Sequence, residues 1–191
     1  MQKKSPYIFY FVDKYNIDEL TNLEKNIDLI FRNYTKRSKI NEIKSIQKFC
    51  KINNRNLYLS NNIKLAIKLG LAGVYIPSFN NSLNFASKHS LPDKFEIIGS
   101  AHNLREIRIK KFQKCSKIFF SPIFKSKKNL KFLSTIKFNL TALSENIDFI
   151  ALGGINKNNY KKLRLTKVVG FAAISWIKKN GLRELRPFLK I

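Results

Sequence analysis

Short apolar runs of three to six residues recur along the chain. Each is followed by a stretch whose apolar residues return every third or fourth position. The runs fall at 7–12, 27–31, 57–59, 73–76, 95–98, 118–121, 149–152 and 168–172. The helical patterns fall at 18–25, 40–52, 63–69, 83–89, 104–113, 135–144, 158–163 and 174–179. In the second of these, Ile40, Ile43, Ile46, Phe49, Cys50 and Ile52 gather on one face and leave a basic face opposite. Strict alternation of this kind predicts parallel strands joined by crossover helices. Eight such strands are the number a closed (β/α)8 TIM barrel needs. A doubly wound open sheet is the competing arrangement, and it normally shows a glycine-rich turn after an early strand. Here the first strand runs into Asp13-Lys14-Tyr15-Asn16, and the adjacent glycines come late, at Gly153-Gly154, with Gly170 at the last strand. The expected fold is therefore a single α/β barrel whose late turns build a phosphate site.

Composition narrows the picture. With 191 residues, the chain is short for a barrel, which typically takes about 200 residues or more, so lean helices and loops are expected. No linker, repeat or low-complexity tract divides it, and one domain over 1–191 is the simplest account. Cys50 and Cys115 show no paired spacing and no neighbouring histidine, which argues for buried free thiols. No apolar stretch reaches the ~18 residues of a membrane span. The run at 7–12 is closed by Asp13 and is too short for a secretory core, so a cytoplasmic location is expected. The formal net charge of +25 points toward phosphate-bearing partners. The lysines are spread from Lys3 to Lys190, as solvated helix faces would be. No reading motif or aromatic–basic platform accompanies them, which sets nucleic acid aside and leaves a phosphorylated small molecule. Homo-oligomerisation is left open.

Four strand-end segments hold the candidate chemistry. Ala151-Leu152-Gly153-Gly154-Ile155 offers two Cβ-free positions where backbone N–H groups can approach an anion, although the same pair would serve a plain tight turn. Ser175 opens the last helix, where orphan N–H groups meet an anion or where a serine caps. Gly99-Ser100-Ala101-His102-Asn103 reads as a polar loop after the fifth strand, and His102 there is a candidate acid/base or a loop-ordering group. His89 reads as a surface residue. Ser121-Pro122-Ile123-Phe124-Lys125-Ser126-Lys127-Lys128 sets a serine beside three lysines, which suits a phosphate or diphosphate.

In this order and at this spacing, the segments resemble the thiamin-phosphate synthase/TenI family. Gly99-Ser100-Ala101-His102, Ser121-Pro122-Ile123-Phe124, Ala151-Leu152-Gly153-Gly154-Ile155 and Gly170-Phe171-Ala172-Ala173-Ile174-Ser175 look like its successive signatures. Arg32 resembles the arginine that ends the family's second strand, and Leu65-Ala66 before Gly73-Val74 resembles its third-to-fourth strand crossover. The resemblance implies a (β/α)8 barrel that joins a thiazole phosphate to an aminopyrimidine diphosphate and releases pyrophosphate with magnesium's help. It implies that Gly153, Gly154 and Ser175 hold the thiazole phosphate, that Arg32 and Ser100 face the pyrimidine diphosphate, and that Ser126 stands where the family has a threonine.

The departures from the pattern are equally specific. Where synthases have an Asn-Asp pair after the third strand, this chain has Ser60 and Asn61, and where they have an aspartate after the fourth it has Asn80. Magnesium prefers carboxylate oxygens, so its binding is expected to be weakened. Tyr75 stands where a histidine is common, and Lys127 and Lys128 are the stand-ins for a displaced lysine. Pro122 matches synthases, whereas TenI tautomerases have a histidine in that loop. The first expectation is accordingly a transferase of thiamin-phosphate assembly with catalytic help from His102, Lys127 and Lys128. The alternative is a TenI-like tautomerase or a non-catalytic binder of thiazole phosphate.

Overall fold

The computed structural model describes residues 6–24, 26–35, 40–85, 90–126, 130–173 and 176. Eight parallel strands, β1 (Tyr7–Val12), β2 (Ile27–Phe31), β3 (Leu57–Ser60), β4 (Gly73–Ile76), β5 (Glu96–Ala101), β6 (Lys117–Phe120), β7 (Asp148–Leu152) and β8 (Gly170–Ala172), close in sequence order. Phe9 pairs with Ala172 on one side and with Asp28 on the other, which seals the ring at β1. The outer helices are α1 (Ile17–Thr21), α2 (Ile40–Ile52), α3 (Ile63–Lys68), α4 (Leu104–Phe112) and α5 (Ser134–Ser144). A 3-10 helix spans Tyr160–Leu165. The chain is a single (β/α)8 barrel, as its alternation predicts.

Pleating sends alternate side chains inward and outward. The inward set, Phe9, Phe11, Ile30, Tyr58, Tyr75, Ile98, Phe119, Ile150 and Ala172, fills the lumen as one buried cluster. Its aromatic rings meet edge to face, with Phe119 5.1 Å from Phe9, 5.7 Å from Phe11 and 5.7 Å from Tyr75. Barrel lumens are more often packed with branched aliphatics. Here large rings on short strands fill the same space. The outward faces of the strands pack under the helices in a second, larger cluster. Both cysteines are free and buried, and burial raises each thiol to about 12.

Boundaries shift where backbone and tertiary packing overrule the pattern. β5 runs on through Gly99, Ser100 and Ala101, which the sequence reads as loop. A side chain at Gly99 would meet Cys115 Sγ and Lys110 Cδ at 2.8 Å each, so the glycine lets α4 press onto this strand. β8 begins at Gly170, two residues later than expected. The crossover expected at 158–163 is a 3-10 turn rather than an α-helix. Residues 83–85 form a turn where a helix is expected, and the rest of that stretch, including His89, lies outside the described residues. Of the expected last helix only Trp176 is described, and it is helical. Among the described residues, no helix is long and apolar enough to cross a membrane.

Candidate functional site

All eight strands point the same way, so their C-terminal ends bring the polar strand-end segments to one rim. On the β2–β5 side, Arg32 follows β2 and is tied in by its N–H to the Val12 carbonyl at 2.8 Å. Its guanidinium carbon stands 4.6 Å over the Phe11 ring, a cation–π contact that aims it across the mouth. Tyr75, on the inward face of β4, has Ser100 and Arg32 close to its phenol. Burial pushes its phenol up to about 12, while the Ser100 and Arg32 contacts pull the other way. Ser100 is 4% exposed. The structure thus brings together Arg32 and Ser100, two residues that the family resemblance would give to one ligand. The residue that joins them, Tyr75, stands out in the sequence only as a departure from a histidine.

Above this group, loop side chains form a polar and aromatic wall. Tyr34 OH and Ser60 Oγ share a hydrogen bond of 2.9 Å, and the Tyr34 and Phe79 rings lie edge to face at 5.6 Å. Asn80 Nδ2 donates to Asn61 Oδ1 at 2.6 Å. Asn61 holds φ at 57°, a left-handed conformation that asparagine tolerates better than most residues. The two positions expected to matter for magnesium therefore meet each other. As two carboxylates they would repel across this gap unless a cation lay between them. As carboxamides they bond directly. Among the described residues no group of three or more His, Cys, Asp and Glu side chains could hold a metal. This donor set does not fit a dedicated magnesium cage.

Behind Asn80, Lys110 on α4 is fully buried. Its Nζ donates to the Asn80 carbonyl at 2.7 Å and to Gln113 Oε1 at 2.8 Å. Burial lowers this lysine to about 8, with Cys115 and Glu106 nearby opposing the shift. Sequence reading treats the lysines as solvated faces, and neither Lys110 nor Lys117 obeys it.

The β6–β8 side is built on the Gly153-Gly154 turn, with φ of 90° and 71°. A Cβ at Gly153 would lie 2.7 Å from Pro122 Cβ, and one at Gly154 2.2 Å from the Phe124 carbonyl oxygen. The missing side chains make room for the loop after β6, which is stitched on by Ile123 N to Leu152 O (3.0 Å) and Phe124 N to Gly153 O (3.1 Å). The Gly154 carbonyl is held from below by Asn159 Nδ2 at 2.8 Å. Neither glycine amide donates to an acceptor among the described residues. The pair thus has a packing reason and still leaves two N–H groups at the rim.

His102 links the two sides. Its Nδ1 lies 2.9 Å from the Ser121 carbonyl oxygen and 3.2 Å from Ser121 Oγ, so that nitrogen carries the proton. Asn103, not His102, caps α4, through Oδ1 to Glu106 N at 3.0 Å, and Glu106 reaches back to His102 N at 2.8 Å. Ser126 is half-buried at the end of the β6 loop. Lys127, Lys128 and Ser175 lie outside the described residues.

Comparison with known proteins identifies the family to which this barrel belongs. Residues 23–177 match the family model of thiamine monophosphate synthase. The chain belongs to that family. A thiamine-phosphate synthase of Prochlorococcus marinus strain SARG is 31% identical over 141 residues, covering 72% of this chain and 40% of that protein. Another, from Prochlorococcus marinus strain AS9601, is 26% identical over 96% of this chain and 52% of its own length. The chain thus spans about half the length, or less, of these curated relatives. Among solved structures, the thiamine phosphate pyrophosphorylase of Pyrococcus furiosus superposes with a TM-score of 0.76 at 16% identity, over 96% of this chain and 95% of that one. The corresponding protein from Bacteroides thetaiotaomicron gives 0.62 at 18% identity, over 97% and 94%. At such identities the structural matches speak for the barrel alone.

Proposed function

We propose that this protein joins a thiazole phosphate to an aminopyrimidine diphosphate and releases pyrophosphate. Family membership supports the general chemistry, and the observation that carries the reading is the two-sided mouth. Arg32, Tyr75 and Ser100 form one polar group under the β2–β5 loops. Across from it lie the Gly153 and Gly154 amides, which meet no acceptor among the described residues. In this reading the Gly153-Gly154 turn, completed by Ser175, takes the thiazole phosphate. Arg32 and Ser100 take the diphosphate, with Ser126 beside it. The bond from the pyrimidine-bearing carbon to the diphosphate oxygen breaks, the thiazole takes the vacated position, and pyrophosphate carries off the electron pair. The slow part of such a step is charge building on the leaving group, which fixed cations stabilise. Arg32, with Lys127 and Lys128, supplies the positive charge, and His102 ties the end of β5 to Ser121 after β6. A protein-chelated magnesium ion has no place in this scheme.

The test is direct. Purified protein is mixed with thiazole phosphate and the aminopyrimidine diphosphate, with magnesium or with EDTA, and thiamin phosphate is measured. Product is expected, EDTA is expected to lower kcat/KM by less than about tenfold, and Arg32→Ala to lower it by about 100-fold. Absence of product with thiazole phosphate still bound would replace this reading by a TenI-like one, a tautomerase or a binder. The paired carboxamides of Asn61 and Asn80 favour that second reading if turnover fails.

A further inference from the structure

Lys110 and Gln113 lie outside the lumen on α4 and at its end, touch none of the residues assigned above to a phosphate, and are both fully buried. A lysine rarely occupies such a place, because burying an ammonium costs free energy unless it is paired and hydrogen-bonded. Lys110 contacts no carboxylate among the described residues. What it has is a carbonyl of the β4 loop. Gln113 doubles the contact, since its Nε2 donates to the Asn80 carbonyl at 2.9 Å and to the Ser82 carbonyl at 2.9 Å. Three donated bonds from one helix therefore converge on residues 80 and 82. The Asn80 side chain closes the chain of contacts in the other direction, donating to Asn61 Oδ1 and accepting from Ser82 N at 3.0 Å.

We infer that the buried Lys110–Gln113 pair is a positioning device that clamps the β4 loop and so sets the Asn61–Asn80 carboxamides at the diphosphate side of the mouth. The physical need is clear from the carboxamides themselves. Two aspartates around a cation would be fixed by the ion, whereas a neutral pair with one mutual hydrogen bond of modest net strength has to be fixed by its backbone. A charged donor on a main-chain carbonyl is the stronger kind of hydrogen bond, more so out of water, and it places the loop without presenting charge to the ligand. This role rests on the proposed function, since that reading puts a diphosphate at Arg32 and Ser100, on the side of the mouth where the β3 and β4 loops carry Asn61 and Asn80.

Two variants separate positioning from simple stabilisation. Lys110→Met keeps the buried stem and removes the ammonium. Gln113→Glu keeps the volume and gives Lys110 a counter-charge, which aids the fold, but it takes away both donors to the loop carbonyls. Amide exchange of residues 78–85 is followed by NMR in the full chain, together with calorimetric binding of inorganic pyrophosphate. Exchange at Asn80 and Ser82 is expected to speed up about tenfold or more in both variants, with binding weakened about tenfold. In the assay, KM for the pyrimidine diphosphate is expected to rise while KM for the thiazole phosphate stays unchanged. Asn80→Ala in the Lys110→Met background is expected to add little to the loss of pyrophosphate binding, because Lys110 acts on the ligand by placing the Asn80 carboxamide that this substitution removes. Unchanged loop exchange in a folded Gln113→Glu protein would overturn the clamp. Faster exchange with unaltered pyrophosphate binding would overturn the positioning role. If wild-type protein binds no pyrophosphate and makes no product, the proposed function and the positioning role fall together, while exchange still reports separately on the clamp.

Discussion

A Cβ at residue 154 would lie 2.2 Å from the Phe124 carbonyl oxygen and 2.8 Å from that of Lys125, on a backbone with φ at 71°. Two costs combine there, the left-handed conformation and a collision with main chain that cannot swing aside. Gly154→Ala is therefore expected to destabilise the fold by about 3 kcal/mol, read from the urea midpoint, and to detach the β6 loop from the turn. The sequence shows a glycine pair and offers two explanations for it, a tight turn or an anion cradle. Only the approach of Pro122 and Phe124 shows that packing alone already demands glycine here. At Tyr75 the opposite holds. Nothing in its neighbours along the chain marks it, because its partners Arg32 and Ser100 arrive from two other strands.

The helices of this barrel are lean, and each rests on few side chains. In α5 the one buried residue is Phe138, whose ring lies 5.3 Å from Phe120 and 6.0 Å from Phe149. Phe138→Ala would leave a hole that β6 and β7 cannot close, since they are held by their own ladders. A loss of about 3–4 kcal/mol is expected, measured by chemical denaturation, with the barrel strands keeping their exchange protection longest. Periodicity locates this helix, and its observed range differs from the expected one by a single residue. Periodicity also locates α2 with its bounds unchanged. It fails at 83–85 and at the 3-10 turn, where short stretches hold too few apolar positions to distinguish a helix from a loop that packs. The candidate site divides the same way. Its strand-end segments are legible as polar interruptions of apolar runs. Lys110 is not, because a lysine in a helix reads as solvated until the tertiary fold buries it.

At the scale of the whole molecule, the N-terminal end of the barrel carries a partly buried ion pair. Lys117 meets Glu96, Tyr58 OH donates to the same carboxylate at 2.6 Å, and Ser116 Oγ donates to it at 2.9 Å. Burial would raise the pKa of Glu96, but the bonds from Lys117, Tyr58 and Ser116 outweigh it and hold the carboxyl below its ordinary value. A carboxylate depressed in the folded state contributes stability that is present above its unfolded pKa of about 4.3 and lost as pH falls through the folded value. Unfolding midpoints of the wild type are thus expected to drop more steeply below about pH 4.3 than those of Glu96→Gln, the comparison that checks it. Sequence alone determined the fold class, the order of strands and the end of the barrel where the polar strand-end segments gather, because strand–helix alternation is written in local periodicity and parallel strands send every such loop to one side. Tertiary structure alone decided which polar groups meet. Tyr75 with Arg32 and Ser100, Asn80 with Asn61 and Lys110 with the β4 loop are each separated by 19 positions or more along the chain, and no local pattern can encode a contact that only closure of the ring creates.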